Sequence, residues 1–278
     1  MLKTEMRNRV TTHIDRMTTS EMVRVIQDEN INAVMSLENA LGAIETAIDA
    51  IADRMARGGR LFYIGCGTSG RLGVLDASEC PPTYGVPHGL VIGIIAGGDA
   101  ALRRSVEGAE DSLESGYADI SSYGITELDS VIGISVAGGA RYVLGAFARA
   151  REAKALIISL SSNGDTPIEG AADIAIVTDT GAEVITGSTR MKAGSAHKMV
   201  LNMISTAVMV KLGHVYENMM INLRPLNIKL RDRMIRILSE ITELPYSECE
   251  QLLEDNGFEL RRALSSYEEG YEKDIKDN

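Results

Sequence analysis

The sequence predicts an α/β fold of three layers, in which helices cover both faces of a five-stranded, mostly parallel sheet. From Gly59 onward, short apolar runs alternate with segments of helical spacing, and this pattern is typical of parallel strands joined by helices. Glycine and polar residues bound the runs, as expected for buried strands. The predicted strands are Leu61–Gly65, Leu90–Ile95, Ser130–Val136, Ala155–Leu160 and Ile174–Val177, and the predicted helices between them are Gly70–Ser78, Ala100–Gly116, Arg141–Arg151 and Thr166–Ala172.

Helical segments flank this region on both sides. Thr18 and Glu21 have the spacing of a capping box that starts a helix. A longer helix is predicted over Asn32–Arg57, with one apolar stripe formed by Val34, Leu37, Leu41, Ile44, Ile48 and Ile51. Near the other end, an apolar helix is predicted over Ala193–Lys211, and two or three amphipathic helices follow Pro225 to about Leu264. The charged tail Glu268–Asn278 is expected to fray. We therefore predict N-terminal helices over 1–57, an α/β/α domain over 58–224 and a small helical region over 225–278.

Composition narrows the class of protein. The chain has 278 residues, 45% hydrophobic and 24% charged, as is ordinary for a globular protein. Its net charge of −11 argues against nucleic acid or an anionic membrane as the main partner, because both require a basic surface. Three cysteines and four scattered histidines show neither a disulfide framework nor metal-ligand spacing, so no metal is expected. The sequence shows no signal segment or membrane-length apolar run, and we expect a cytoplasmic protein.

The stretch Gly58–Tyr84 contains the strongest candidate for a binding site. An apolar strand leads into Gly65-Cys66-Gly67-Thr68-Ser69-Gly70, and a segment of helical spacing follows until Pro81-Pro82. Backbone N–H groups, hydroxyl donors and a helix dipole at one point favour an anion. The stretch has neither the lysine of a P-loop nor the acid that would bind a ribose, so a small phosphorylated molecule fits better than a nucleotide. A tight turn without a ligand is the alternative. The predicted ligand-binding residues here are Gly67, Thr68, Ser69 and Gly70.

The sequence GTSGRLGVLDASECPPTYG resembles the signature of bacterial N-acetylmuramic acid 6-phosphate etherases, which belong to the sugar-isomerase-domain (SIS) superfamily and are similar to glucokinase regulatory protein. HIDRMTTSEMVRVIQDEN and GAEVITGSTRMKAGSAHKMVLNMISTAVMVKLG resemble the same family. The resemblance implies an SIS-type domain, a homodimer and a carbon–oxygen lyase that uses no cofactor. The methionine-rich helix around Met199, Met203 and Met209 is a candidate for core or subunit interface.

Two glutamates are candidate catalytic residues. Glu79 lies in SECPP and Glu110 in VEGAED, each after a different predicted strand, so they could flank one ligand. Glu107 lies three residues before Glu110 on the same predicted helix, and periodicity does not separate the two. The resemblance does, because the family's acid/base pair falls on Glu79 and Glu110. It implies that Glu79 protonates the departing lactyl oxygen while Glu110 removes the C2 proton, with the pair a firmer assignment than the order within it.

One segment departs from the family pattern. Where family members carry a Ser-Gly-Arg-Thr-Pro loop that holds the sugar phosphate, this chain has Ala137-Gly138-Gly139-Ala140-Arg141. The backbone of Gly138 and Gly139 with Arg141 could replace the lost hydroxyl donors, the ligand could differ, or the sequence could be inactivated or engineered. Ser188, in the polar segment Thr186–Lys192, is a further candidate substrate contact, although this segment could equally cap the following helix at Ser195.

The leading functional hypothesis is cleavage of the lactyl ether of N-acetylmuramic acid 6-phosphate in cell-wall sugar recycling. A sugar-phosphate sensor like glucokinase regulatory protein is the alternative from a different class of function. Both glutamates favour the enzyme, whereas the altered 137–142 segment favours changed or lost ligand binding. Aldose–ketose isomerisation is less well supported, because the SECPPT and EGAED elements resemble etherases. Cys66 could have a lowered thiol pKa in the anion turn, but a small residue fitting a tight turn is the simpler interpretation.

Overall fold

The computed structural model describes residues 1–222 and 228–276, with side chains to 268. It forms two compact units, which are described separately below. The first contains Met1–Ser78 and His88–Val208, and the second contains Glu79–Pro87 and Met209 onward.

The first unit is built on a five-stranded parallel sheet in the order β2-β1-β3-β4-β5. This confirms the predicted fold class, and each strand lies within two residues of its predicted limits. The central strands are buried throughout, as the continuous apolar runs indicated. The strands are β1 (Leu61–Gly65), β2 (Val91–Ile95), β3 (Ser130–Ile134), β4 (Leu156–Ser161) and β5 (Ile174–Val177).

Helices cover both faces of this sheet. On one face, Phe62 of β1 packs in a core with Phe147 of α6 (Arg141–Glu152). Tyr63 points to the opposite face, where α3 (Gly67–Tyr84) approaches so closely that a Cβ on Gly73 would lie 2.8 Å from the Tyr63 Cβ. The alternation of side chains along β1 therefore separates the two helical layers.

Helix α3 is longer than predicted at both ends. It begins at Gly67, so the glycine-rich turn forms its first turn, and it continues through Pro81 and Pro82. The expectation that the two prolines would end the helix was wrong. Each proline lacks the N–H that would donate to the carbonyl four residues earlier. Both prolines lie in the last turn of α3, so the helix loses these two hydrogen bonds only at its C-terminal end. The helix ends when Gly85, at φ +66°, donates its N–H to the Pro81 carbonyl at 2.9 Å.

The single helix predicted over Ala100–Gly116 does not exist. The chain forms a short helix α4 (Ala100–Arg103), a turn, and α5 (Leu113–Ser121). Gly108, at φ +70°, interrupts the helical path, and the Ser112 hydroxyl caps α5 by accepting from the Ser115 N–H. Glu107 and Glu110 therefore lie on a turn rather than on a helix face.

The N-terminal region confirms one prediction and corrects another. The capping box of Thr18 and Glu21 starts α1 (Thr19–Met35). The predicted helix over Asn32–Arg57 is split, because α1 ends and α2 (Leu41–Ala56) begins after a 3₁₀ turn over Glu38–Ala40. The break divides the predicted stripe: Leu37, Ile44 and Ile51 are buried, whereas Val34 and Leu41 are exposed.

A network of buried charges joins α1 to α8 (Lys192–Lys211). Glu29 accepts a short hydrogen bond from the Lys192 ammonium and further bonds from Asn8 at 3.0 Å and Asn32 at 3.1 Å. The Glu183 carboxylate accepts the N–H groups of Lys192 and Ala193 at 2.9 and 3.0 Å. Glu183, and not Ser195 as predicted, therefore caps α8.

In its described part, the second unit consists of helices and a two-stranded antiparallel ribbon, β6 (Val215–Tyr216) and β7 (Met219–Met220). The described part after Pro225 contains three helices, α9 (Ile228–Thr242), α10 (Tyr246–Asp255) and α11 (Leu260–Lys276). Two or three were predicted. Leu238, Leu253 and Leu264, one from each helix, belong to its core. Helix α11 continues to Lys276, and residues 277–278 lie outside the described part. The expected fraying of the tail from Glu268 stays a prediction. The first unit also contains a short helix between β4 and β5, α7 (Pro167–Ala171).

His197 is fully buried within the first unit. Its Nε2 lies 3.1 Å from the Ser162 hydroxyl, which in turn bonds Thr178 at 2.7 Å. Burial lowers the pKa of the His197 imidazole to about 4. The neutral imidazole therefore has a structural role. This fits the sequence, in which no nucleophile motif surrounds His197.

We predict that replacing glycines at the α5–α6 contact destabilises the protein. A Cβ on Gly116 would lie 1.8 Å from the Tyr142 carbonyl oxygen, and one on Gly145 would lie 1.9 Å from that of Leu113. Gly116→Ala and Gly145→Ala should each lower the free energy of unfolding by about 2 kcal/mol or more in urea titrations. Gly42→Ala is the matched control, because Gly42 is helical and has open space around it. Equal stability of all three variants would contradict the packing described.

We also predict that His197 makes stability depend on pH. The unfolded chain binds a proton near pH 6.5, and the folded chain does so only near pH 4, so stability is complete above pH 6.5 and is lost as the pH falls. Between pH 7.5 and 5, the free energy of unfolding of the wild type should fall by about 2 kcal/mol more than that of His197→Gln. His88→Gln, at an exposed histidine, is the control and should follow the wild type. Parallel pH profiles for wild type and His197→Gln would refute the assignment.

Candidate functional site

Three neighbouring strand ends meet at one edge of the first unit. Because β1 lies between β2 and β3, the segments after their carboxyl ends are adjacent, and ligands bind at such edges in open parallel sheets. Two backbone bonds join these segments: the Ala96 N–H donates to the Gly65 carbonyl at 3.0 Å, and the Tyr142 N–H donates to the Glu110 carbonyl at 3.0 Å. The turn carrying Glu110 is therefore fixed to the N-terminus of α6.

The N-terminus of α3 supplies the predicted anion-binding turn. Gly67 is exposed and has φ +53°, Thr68 is half-buried and Ser69 is buried. A Cβ on Gly70 would lie 2.5 Å from the Gly65 carbonyl oxygen, so a side chain has no room at this position. The first N–H groups of a helix have no partner within it, and they are available here to a ligand.

A cavity of about 240 Å³ opens beside this turn. It is lined by Cys66, Gly67 and Arg71 on one side and by the turn Ser105–Glu110 on the other, and we call it the glutamate cavity. The structure therefore brings together two predicted site residues, Gly67 and Glu110. Glu107 also lines the cavity.

Arg71 was not predicted as a site residue. Its guanidinium donates to the carbonyls of Ala101 at 2.7 Å and Leu102 at 3.1 Å, near the C-terminus of α4, and so holds one wall of the glutamate cavity. The helical spacing of α3 gave no signal for this role, because the contact depends on a short helix that the sequence did not predict.

Cys66 is a poor nucleophile in this environment. Burial, and after it the charges of Glu110 and Asp111, raise the pKa of the Cys66 thiol to about 12. The hypothesis that the helix dipole lowers this pKa was wrong. The thiol therefore stays protonated at neutral pH.

Glu79 lies on the part of α3 that belongs to the second unit, and its side chain is exposed. Glu110 is exposed as well. A carboxyl group acts as an acid near neutral pH when its surroundings are dry. Both glutamates face solvent in this structure.

The segment after β3 is only partly available to a ligand. The Gly138 N–H donates to the Ser135 carbonyl at 3.0 Å, and at φ +73° a Cβ there would lie 2.3 Å from the Thr166 side chain. Gly138 thus forms a tight internal turn. Gly139 is exposed in open space, and Arg141 is exposed at the first residue of α6. None of the three lines the glutamate cavity.

A second depression, of about 450 Å³, lies on the other side of the α3 N-terminus. We call it the cationic groove, because Arg190 and Lys198 line it together with polar and apolar side chains. Its full lining is Asn30, Val34, Thr68, Leu72, Arg190, Gly194, Ser195, Lys198 and Met199. The predicted residue Thr68 therefore lies in this groove, whereas Gly67 lies in the glutamate cavity.

Ser188 lines neither depression. Its N–H donates to the Ile185 carbonyl at 2.9 Å, which shapes the turn before α8. Arg190 belongs to the polar segment Thr186–Lys192, which the sequence marked as a possible substrate contact. Lys198 and Asn30 were not predicted as ligand contacts. Their shared position arises from the packing of three helices distant in sequence, and no local motif reports it.

Within the described residues, no group of three or more histidine, cysteine, aspartate or glutamate side chains could hold a metal ion. No helix in this part of the chain is long and apolar enough to cross a membrane.

Comparison with known proteins gives related sequences and a shared fold. Residues 43–151 match the family model of the glucokinase regulatory protein N-terminal SIS domain. An N-acetylmuramic acid 6-phosphate etherase from Caldanaerobacter subterraneus is 49% identical, covering 95% of this chain and 86% of the relative. One from Yersinia pestis is 47% identical, covering 95% and 89%.

Among solved structures, a phosphoheptose isomerase from Francisella tularensis has a TM-score of 0.54 at 16% identity, covering 69% of this chain and 98% of that one. At this level of identity the similarity establishes the SIS fold alone. The etherase relatives cover almost the whole chain and include the segments that carry Glu79 and Glu110.

Proposed function

The chain belongs to the family of N-acetylmuramic acid 6-phosphate etherases, and on this premise we propose the following reaction and site. The enzyme is a carbon–oxygen lyase that cleaves the D-lactyl ether of N-acetylmuramic acid 6-phosphate. It gives N-acetylglucosamine 6-phosphate and D-lactate in the recycling of cell-wall sugars. Identity of 47–49% over 95% of the chain supports this function.

The observation that carries the site is the position of Glu110 in one cavity with the N-terminus of α3. Helix N–H groups with Thr68 and Ser69 would hold the sugar phosphate, because a dianion is stabilised at the positive end of a helix dipole. The carboxylate of Glu110 would then face the sugar ring. Gly139 and Arg141 would contribute after β3, in place of the family's hydroxyl donors, and Gly138 would fix their turn. Ser188 is proposed as a further contact of the substrate.

The chemistry needs one base and one acid. Glu110 removes the proton on C2, the C2–C3 double bond forms, and the C3–O bond breaks while Glu79 protonates the lactyl oxygen. Water then adds across the double bond with the roles reversed: Glu79 takes a proton from the water whose oxygen bonds C3, and Glu110 returns a proton to C2. The role of Glu79 rests on the SECPP motif that this chain shares with the family. No cofactor takes part in the proposed steps.

We propose that the enzyme acts as a homodimer in the cytoplasm, with domain limits at 1–57, 58–224 and 225–278. A second chain could exclude water from the two exposed glutamates. The part-exposed Met203 on α8 and the exposed Met35 on α1, which lie outside the groove lining, support an interface in the first unit. Light scattering coupled to size exclusion should give twice the 30.0 kDa chain mass. A single-chain mass at micromolar concentration, with full activity, would refute the dimer.

We predict that Glu110→Gln abolishes the reaction while Glu107→Gln does not. Both residues line the glutamate cavity, so the pair separates a base from a neighbouring charge. In deuterated water the wild type should release lactate, and the other product, N-acetylglucosamine 6-phosphate, should carry deuterium at C2. In Glu110→Gln the rates of lactate release and of deuterium incorporation should both fall about 10³-fold. In Glu79→Gln the rate of lactate release should fall by a similar factor. In Glu107→Gln both rates should fall less than tenfold.

A folded wild-type protein that gives neither lactate nor exchange would refute the etherase function for this substrate. Thermal stabilisation by the substrate without turnover would instead support a regulator like glucokinase regulatory protein. Equal losses in Glu107→Gln and Glu110→Gln would contradict the assignment of the base.

A further inference from the structure

The cationic groove has no role in the proton transfers described above, yet three helices build it with matched spacing. Asn30 and Val34 of α1, Thr68 and Leu72 of α3, and Ser195 and Met199 of α8 are pairs four residues apart, so each pair shares one helix face. Arg190 and Lys198 add two positive charges at this junction.

Neither cation is neutralised by the protein. Within the described part of the chain, Arg190 and Lys198 form no ion pair, although the protein has a net charge of −11 and acidic residues are abundant. By contrast, Lys192, which begins α8, is buried and paired with Glu29. Two unpaired cations facing one groove favour an anionic group of a ligand.

Buried contacts hold two of the three helices that build the groove. The Lys192–Glu29 pair joins α8 to α1 at residues next to those lining the groove, and the Glu183 carboxylate holds the first N–H groups of α8. Lys198 therefore projects from a helix whose N-terminus is held in place, and both cations are exposed to solvent and accessible to a ligand.

The substrate of the proposed function carries two anionic groups, the 6-phosphate and the lactyl carboxylate. The lactyl group combines a single negative charge with a methyl group. The groove combines cations and hydroxyls with the apolar side chains of Val34, Leu72 and Met199. This mixture suits a small carboxylate with an apolar substituent better than a phosphate, which needs donors on every side.

The two depressions share a border at the N-terminus of α3. Gly67 lines the glutamate cavity and Thr68, the next residue, lines the cationic groove. The Cα atoms of consecutive residues lie about 3.8 Å apart. The C2 proton and the lactyl ether are on neighbouring carbons, so the proton can face the cavity while the lactyl group enters the groove.

We propose that Arg190 and Lys198 bind the lactyl carboxylate of the substrate in the cationic groove. This inference rests on the proposed function, since it specifies which group of that substrate the groove selects. It makes the two cations specificity residues for the lactyl group, whereas Thr68, which borders the groove, remains among the donors proposed for the phosphate.

The test compares three substrates: N-acetylmuramic acid 6-phosphate; its lactyl amide, in which the lactyl group is uncharged but similar in shape and the phosphate is kept; and N-acetylmuramic acid without the phosphate. The wild type should have a kcat/KM about 100-fold higher for the carboxylate than for the amide. In Arg190→Gln and in Lys198→Gln this ratio should fall about tenfold or more. The ratio between phosphorylated and unphosphorylated substrate should stay unchanged in both variants.

Arg24→Gln is the matched control, because it removes the same charge from an exposed position of α1 outside the groove lining. Its two ratios should equal those of the wild type. An unchanged carboxylate-to-amide ratio in the groove variants would overturn the inference, and a lost preference for phosphate would show that the groove binds that group instead. Equilibrium binding of the same compounds to Glu110→Gln gives the same ratios without turnover, so failure of the groove and failure of the etherase reaction are distinguishable.

Discussion

Helix α3 begins within two residues of the end of β1, and the absence of side chains at Gly65 and Gly70 makes this close approach possible. A Cβ on Gly65 would lie 2.9 Å from the Gly70 N, and a Cβ on Gly70 would lie 2.5 Å from the Gly65 carbonyl oxygen. The helix N-terminus is therefore held directly against the edge of the sheet. The glutamate cavity and the cationic groove both depend on this junction, because Gly67 and Thr68 form their common border.

The first unit separates charges of opposite sign around that border. On one side, burial and the charges of Glu110 and Asp111 raise the pKa of the Cys66 thiol, and Glu107 adds a further acidic side chain to the cavity lining. On the other side, Arg190 and Lys198 have no acidic partner among the residues whose side chains the structure describes. An anionic protein can bind an anionic sugar derivative in this way, because local donors and cations outweigh the average charge at short range.

The sequence predicted the features that depend on neighbouring residues. Buried strands such as Leu61–Gly65 are continuous apolar runs, and the Thr18–Glu21 capping box is a local motif; both are found as expected. The helix predicted after β2 was wrong because Gly108 and the Ser112 cap outweigh the helical spacing around them. Glu183 was missed as the cap of α8 because a buried carboxylate nine residues before the helix has no local signature. The cationic groove was missed for a related reason, since its lining comes from α1, α3 and α8.

The buried pair of Lys192 and Glu29 also constrains how this sequence can change over time. Loss of either partner leaves the other charge buried and unpaired, at a cost of about 3–5 kcal/mol, which is a large share of the 5–15 kcal/mol that typically holds a domain together. Replacing both residues by well-packed apolar ones is often neutral in other proteins, but a lineage that mutates one position at a time must first pass through the unpaired state. These two sites, 163 residues apart in the chain, should therefore stay unchanged or change together.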